Sequence, residues 1–389
     1  MEFLMRRILI ALLLLAGVAT ISCSHRFRYT DEFASRPSPW PLYRGDVAAK
    51  GASSDGSFSG SLNLLWSDKY GYRPAAPLTI YHDHLVVTTT GKRVHFYNTA
   101  DGSLYGKLRL TGTGQTAVVM QDSMLYVALS PVKNRVEAIN LANRKTIWKV
   151  PVKDAAPAPI ILNDRLIISS SDGTVSALEL ATGKHLWDFT GSGRFVAPAA
   201  YSDGIIFQPS DNGRIFAISD STGKSLYEVN LDGPLVGGVA VADLLYVASM
   251  TGEVYGIQTS DGIVRWQTRL NGPIWTVPAL SDDLVVIGHS GGGIVALSRN
   301  NGSLVWTYPI VDVVKASPLL VGQYVVAGTM SGKLVVLNLR DGSLVSETDV
   351  TGAIAFPPVT DGTRIFVATQ SGRILCYGDE HAQLTQDRQ

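Results

Sequence analysis

One apolar segment recurs eight times at a nearly constant interval. It begins at Val94 (VHFYNT), Val136 (VEAINL), Val175 (VSALEL), Ile215 (IFAISD), Val254 (VYGIQT), Ile294 (IVALSR), Leu334 (LVVLNL) and Ile374 (ILCYGD), and the starts lie 42, 39, 40, 39, 40, 40 and 40 residues apart. A period this regular belongs to a repeat architecture, in which each unit buries its apolar surface against its neighbours. In the third unit, residues 158–162, 166–170, 175–180 and 185–189 are apolar or alternating runs. They are separated by Asn163-Asp164, Ser171-Asp172-Gly173 and Thr182-Gly183. Short runs punctuated in this way read as antiparallel hairpins. Four strands in about 40 residues make one β-propeller blade. No unit has room for an amphipathic helix of about ten residues, which excludes a βα solenoid.

The turn before the fourth strand falls at 62, 102, 144, 183, 223, 262, 302 and 342, giving eight turns. The eighth third strand, at Ile374, has no fourth strand after it, and the chain continues into a polar tail over 379–389. Conversely, the first fourth strand, residues 62–67 (LNLLWS), has no blade before it. The economical solution is an all-β, eight-bladed propeller over residues 40–378, built of four-stranded antiparallel blades. Residues 62–67 complete the last blade, so the ring closes without an unpaired edge.

Trp66, Trp148, Trp187, Trp266 and Trp306 hold one register in this repeat, with Tyr227 replacing Trp in one unit and Gly106 and Ser346 breaking the pattern. A large ring at one fixed place per blade fills the wedge between neighbouring blades, so these residues read as packing, not as a ligand platform. The turn glycines, among them Gly102, Gly183, Gly223 and Gly262, read as positions of positive φ.

Residues 1–22 read as a targeting segment. Arg6 and Arg7 precede an apolar run over 8–19 that is shorter than a bilayer-spanning helix. Met5 is an alternative start, since Met-Arg-Arg-Ile is the more usual opening. Thr20-Ile21-Ser22-Cys23 resembles a bacterial lipobox, with Thr20 where a Leu-like residue is usual. The resemblance implies cleavage before Cys23 and lipid on its thiol, and Ser24 in place of Asp implies outer-membrane sorting. The alternative is an ordinary secretory signal followed by an incidental cysteine. Residues 23–39 are polar, with two prolines, and read as a tether. A dozen extended residues reach roughly 40 Å, so a free tether would let the propeller stand away from the membrane.

Removing residues 1–22 takes away Glu2, Arg6 and Arg7 and moves the formal charge from 0 to −1. No basic stripe stands out along the sequence, which disfavours nucleic acid as a partner. The cysteines are Cys23 and Cys376. Cys376 lies mid-strand and reads as a small buried hydrophobe. There is no haem-attachment motif and no zinc-ligand spacing. His82 and His84 flank Asp83 in a hairpin turn, which reads as a surface turn and not a metal site.

The pattern A-L-x-x-x-[TD]-G-x-x-x-W resembles the repeat of the pyrroloquinoline-quinone (PQQ) type propellers. The opening Trp40-Pro41-Leu42-Tyr43-Arg44-Gly45-Asp46 resembles the segment before their first blade. The resemblance covers residues 40–378. Two groups share it: PQQ-dependent dehydrogenases and the BamB lipoproteins of the outer-membrane β-barrel assembly machinery. The first would imply PQQ, calcium and an Asp base, with adjacent cysteines near the quinone. This chain has no Cys-Cys pair, and Asp164, Asp203 and Asp283 sit at one repeated turn, spread around the ring. Asp at such turns satisfies backbone amides. The second implies no catalytic residues, no metal and no cofactor. It implies a periplasm-facing outer-membrane lipoprotein that holds a BamA-like protein partner and acts as one ring within a larger complex. A binding or sensor propeller of another envelope pathway is a third possibility.

A scaffold of this kind would bind through the loops that join one blade to the next. These carry the least repetitive residues: Arg73, Arg194, Phe195, Trp275, Asp312, Lys315 and Phe356. Aromatic and Arg side chains on variable loops are the usual raw material of interfaces. For Trp275 and Phe356 a second role, plugging the central channel, stays open.

Overall fold

Eight small antiparallel sheets form a ring in the computed structural model, and each is one blade of the repeat. The described residues are 27–30, 38, 41–53 and 56–379, apart from 115, 131 and 157. The signal segment 1–22, Cys23 and residues 380–389 of the tail lie outside them. In blade 1 the strands run Thr79–Tyr81, His84–Thr89, Arg93–Asn98 and Leu104–Arg109, from the innermost outward. Blade 8 is built of Val359–Thr360, Ile365–Ala368 and Arg373–Gly378, and its outer strand is Asn63–Lys69 from the other end of the chain. Trp66 pairs with Cys376 and Lys69 with Arg373, so the ring closes as its strand arithmetic requires. Cys376 is fully buried, and burial pushes its thiol pKa up.

The core is laid down in sheets between blades. One buried cluster joins blades 4 and 5 through Phe207, Ala217, Val247 and Ile257. The next joins blades 5 and 6 through Tyr246, Val254, Ile287 and Val295. The repeated Trp locks five of the eight seams. Trp266 on the outer strand of blade 5 (Val264–Arg269) donates Nε1–H to the Arg299 carbonyl of blade 6 at 2.9 Å. Trp66, Trp148, Trp187 and Trp306 make the same bond to Thr99, Leu180, Asp220 and Leu339 of the following blade. Each ring covers the turn glycine of that next blade. A Cβ at Gly302 would stand 2.4 Å from Trp266, and Gly302 also has φ +71°. The glycine is therefore required twice over, by the turn and by the ring above it.

Two sheets gain a fifth strand, which the repeat does not announce. Thr113–Gly114 adds to blade 2, and Ala52–Ser53 pairs in parallel with the innermost strand of blade 7, Leu319–Val321. The second belongs to a strap, residues 41–53, that winds along the inner edges of the blades. Its carbonyls at Val47, Ala48, Lys50 and Gly51 accept the amides of Tyr201, Val241, Leu280 and Leu320, one per blade from 4 to 7. Inner-strand edges are thereby satisfied. Arg44 is 2% exposed and donates to the carbonyls of Pro278 (3.2 Å) and Pro318 (2.5 Å). Burial pulls its guanidinium down to about 10, against the opposing pull of Tyr43 and Asp46. Arg44 thus stitches the strap to blades 6 and 7.

Residues 27–30 differ from the expectation of a free tether over 23–39. Phe27 is fully buried against Phe96, with ring centroids 4.2 Å apart, and its amide donates to Lys107 of the blade 1 outer strand at 3.2 Å. Ser38 accepts the His82 amide, again on blade 1. Phe27 was hidden by its polar surroundings (SHRFRYT), which carry no periodic signal.

Candidate functional site

Each blade hands over to the next through a loop that leaves the outer strand and enters the innermost strand of its neighbour. The loops share one hydrogen bond. The carbonyls of Arg73, Asp154, Arg194, Pro234, Pro273, Val313 and Ala353 accept the amides of Thr90, Ser171, Asp211, Met250, Ser290, Met330 and Gln370. Those donors sit in the turn between the second and third strands of the following blade, so all these loops lie at one face of the ring.

This shared bond fixes which side chains point inward. In five of these seven loops the residue after the bonded carbonyl is a large hydrophobe, Phe195, Leu235, Ile274, Val314 or Ile354, and each is 0% exposed. Phe195 is therefore a core residue and not an exposed contact, which corrects the expectation from sequence. It lies parallel to Phe189 and against Phe216, with centroids 6.5 and 5.6 Å away. It also floors a cleft of 310 Å³ between blades 3 and 4, walled by Asp154 and Arg194. Arg194 itself is exposed, and its amide donates to Asp211 Oδ1 at 2.7 Å.

One residue further along, the chain turns out to the rim. Here blades 6 and 7 place Trp275 and Lys315 side by side. Trp275 is 38% exposed, and Lys315 Nζ stands 4.7 Å from its ring centroid. Trp275 is thus partly exposed on the rim. A cation over an exposed indole contributes about 0.5–1 kcal/mol, enough to orient both side chains. Val311 in the same loop is fully exposed. Together they present an aromatic ring, a cation and an aliphatic group with little burial.

The remaining expected contacts divide. Arg73 is exposed, on the loop from blade 8 to blade 1. Phe356 is half-buried, in the slot that Ala197, Thr276 and Ala316 fill elsewhere. The Asp312 carboxylate is engaged in the fold: it accepts the amides of Val313 at 2.6 Å and Ser331 at 2.9 Å. Its burial raises the pKa, but hydrogen bonds from Ser331, Thr329 and Val313 outweigh this and hold it at about 2. Among the described residues no three His, Cys, Asp or Glu side chains cluster as ligands for one ion.

The fold and its recurrent Trp seam define an eight-bladed propeller of the PQQ-repeat class. The family model described as outer membrane protein assembly factor BamB matches residues 59–188, 171–245 and 236–386. The chain belongs to that family. A BamB from Moranella endobia is 24% identical over 233 residues, which is 55% of this chain and 59% of the relative's length. The crystal structure of BamB from Moraxella catarrhalis superposes with a TM-score of 0.72 at 18% identity, covering 82% of this chain and all of that one. The quinohemoprotein alcohol dehydrogenase from Comamonas testosteroni superposes with a TM-score of 0.75 at 14% identity, over 92% of this chain and 84% of that one. At such identities the likeness is one of fold.

Proposed function

We propose that this chain is a non-catalytic scaffold of outer-membrane protein assembly, held to the outer membrane by lipid on Cys23 and facing the periplasm. Its partner is a BamA-like assembly protein, and the role needs no cofactor. Membership of the BamB family supports the pathway. The observation that carries the binding mode is the Trp275–Lys315 pair, standing exposed on the one face where every interblade loop emerges. The blade bodies are near-identical packing units, whereas the rim holds the side chains that differ from blade to blade. Aromatic residues of this kind dominate interfaces when a partner desolvates them.

The test is recovery of the tagged parent from its own envelope, with bound proteins and the mass of the N-terminal peptide read by mass spectrometry. A BamA-like partner and an acylated Cys23 are expected. Absence of any assembly partner, together with binding of PQQ and calcium and dye reduction by an alcohol, would replace the scaffold with an oxidoreductase.

A further inference from the structure

The cross-strand pair at the head of each third strand can be compared around the ring. In blades 2 to 7 the pairs are Arg135/Pro151, Thr174/Thr190, Arg214/Asn230, Glu253/Arg269, Gly293/Pro309 and Lys333/Asp349. Where a cation occurs there, a carboxylate answers it. Arg135 pairs with Glu137, Arg214 with Glu228 at 2.5 Å, Arg269 with Glu253 at 2.6 Å, and Lys333 with Glu347 at 3.3 Å. Blades 1 and 8 break this rule, and they are neighbours across the closure seam. Arg93 lies opposite Arg109, and Lys69 opposite Arg373.

Like charges directly opposite one another destabilise a sheet. Lys107, two residues before Arg109 and so on the same face, adds a fifth cation. Among the described residues none of these five forms an ion pair. The nearby carboxylate, Asp68, hydrogen-bonds the Tyr97 hydroxyl. Buried His95, opposite Lys107, is held down to about 4, first by burial and then by Lys107 and Arg93. Lys69, Arg93, Lys107 and Arg109 are exposed, and Arg373 is half-buried.

The second observation is where the N-terminal chain is held. The Phe27 amide is bonded to the Lys107 carbonyl at the outer edge of blade 1, its ring lies in the core between blades 1 and 2, and exposed Arg28 is next to it. Phe27 is four positions after Cys23, a reach of at most about 14 Å. A lipid on Cys23 therefore brings the outer edge of blade 1, next to its seam with blade 8, to the bilayer, and not a propeller swinging on a long tether.

We propose that this seam is a membrane-facing surface whose cations bind the phosphates of anionic phospholipid headgroups and stand the ring edge-on to the membrane. Headgroups supply the negative charge that the sheets lack, and each cation near an anionic surface strengthens attachment several-fold. The proposal rests on Cys23 being the lipid-bearing residue, as in the function proposed above.

The experiment uses the mature full chain carrying Cys23→Ser, so that lipid does not mask the surface. It is sedimented with vesicles of phosphatidylethanolamine and phosphatidylglycerol, and with vesicles of phosphatidylcholine alone. Binding is expected to the anionic vesicles and to fall steeply with salt. Lys69→Glu with Arg109→Glu should weaken it at least about tenfold. Both changes rebuild the opposite-charge pairs seen in blades 5 and 7, so folding is preserved, which thermal melting checks. Lys184→Glu, exposed on a turn of blade 3, should leave binding within about twofold. Equal binding to both kinds of vesicle, or an unchanged double variant, overturns the proposal. So does a double variant that keeps vesicle binding but loses a protein partner, since the seam would then serve an acidic protein. Parent protein without an acyl group on Cys23 would remove the anchor reading alone, and selective binding to anionic vesicles would still support the surface.

Discussion

Phe27 occupies the space that a side chain at residue 106 would need: a Cβ on Gly106 would come within 2.5 Å of the Phe27 Cα. Gly106 stands where the repeat elsewhere carries Trp. The break in the repeat is therefore the seat of the N-terminal segment. The other break behaves alike, since Ser346 Oγ donates to the Gly60 carbonyl at 2.6 Å where the chain passes blade 7.

Restoring the repeat should expel the segment. Gly106→Trp is expected to free Phe27 and release the backbone at Arg28 for cleavage by trypsin, while the ring's thermal midpoint changes little. Losing one buried Phe, about 1.5–3 kcal/mol, should speed cleavage at Arg28 by about tenfold or more. Undiminished protection of Arg28 would show that Gly106 does not hold the clip.

The Trp seam carries a large share of blade-to-blade cohesion. Trp266 is 7% exposed, so Trp266→Ala should cost about 3–5 kcal/mol in denaturant unfolding. Trp266→Phe keeps most of the packing but orphans the Arg299 carbonyl, at about 1–3 kcal/mol. Trp187 is only half-buried and its loss should cost less. A loss at Trp266 within about 0.5 kcal/mol would place it with ordinary surface residues.

Asp312 gives a signature in pH. Its carboxyl is held near 2, below the unfolded value of 3.8, so the unfolded chain binds more protons between these values. The stability it contributes is present above pH 4 and is lost as pH falls towards 2. Because the group is partly solvated, the effect is about 1 kcal/mol or less. Asp312→Ala should be less stable than the parent at pH 6, and the gap should close by pH 2. A gap independent of pH would mean that the charge is not what stabilises this loop.

Much of the ring is legible in the residues, because period, turn chemistry and the Trp register all report the same unit. What escaped has no period. The strap 41–53 answers the inner edges of blades 4 to 7 with backbone carbonyls, which any sequence can supply. Phe195 departs from the expectation for a different reason. Read as one loop it is an aromatic beside an Arg; aligned with Leu235, Ile274, Val314 and Ile354 it is a core position. The basic seam is invisible along the chain because Lys69 reaches Arg373, and that pair comes to lie on the blade beside Arg93 and Arg109, only when the ring closes. Trp275 and Lys315 were each legible as irregular rim residues, but their contact depends on the angle between two blades.

In the proposed function the interblade rim holds an assembly partner. The most direct measurement of this is the affinity of the purified chain for the periplasmic domains of the BamA-like protein from the same envelope, compared with Trp275→Ala and Lys315→Ala. Both variants are expected to melt as the parent does, and Trp275→Ala to bind about 30-fold more weakly, a loss of about 2 kcal/mol. Equal affinity of the parent and both variants would contradict this role of the rim.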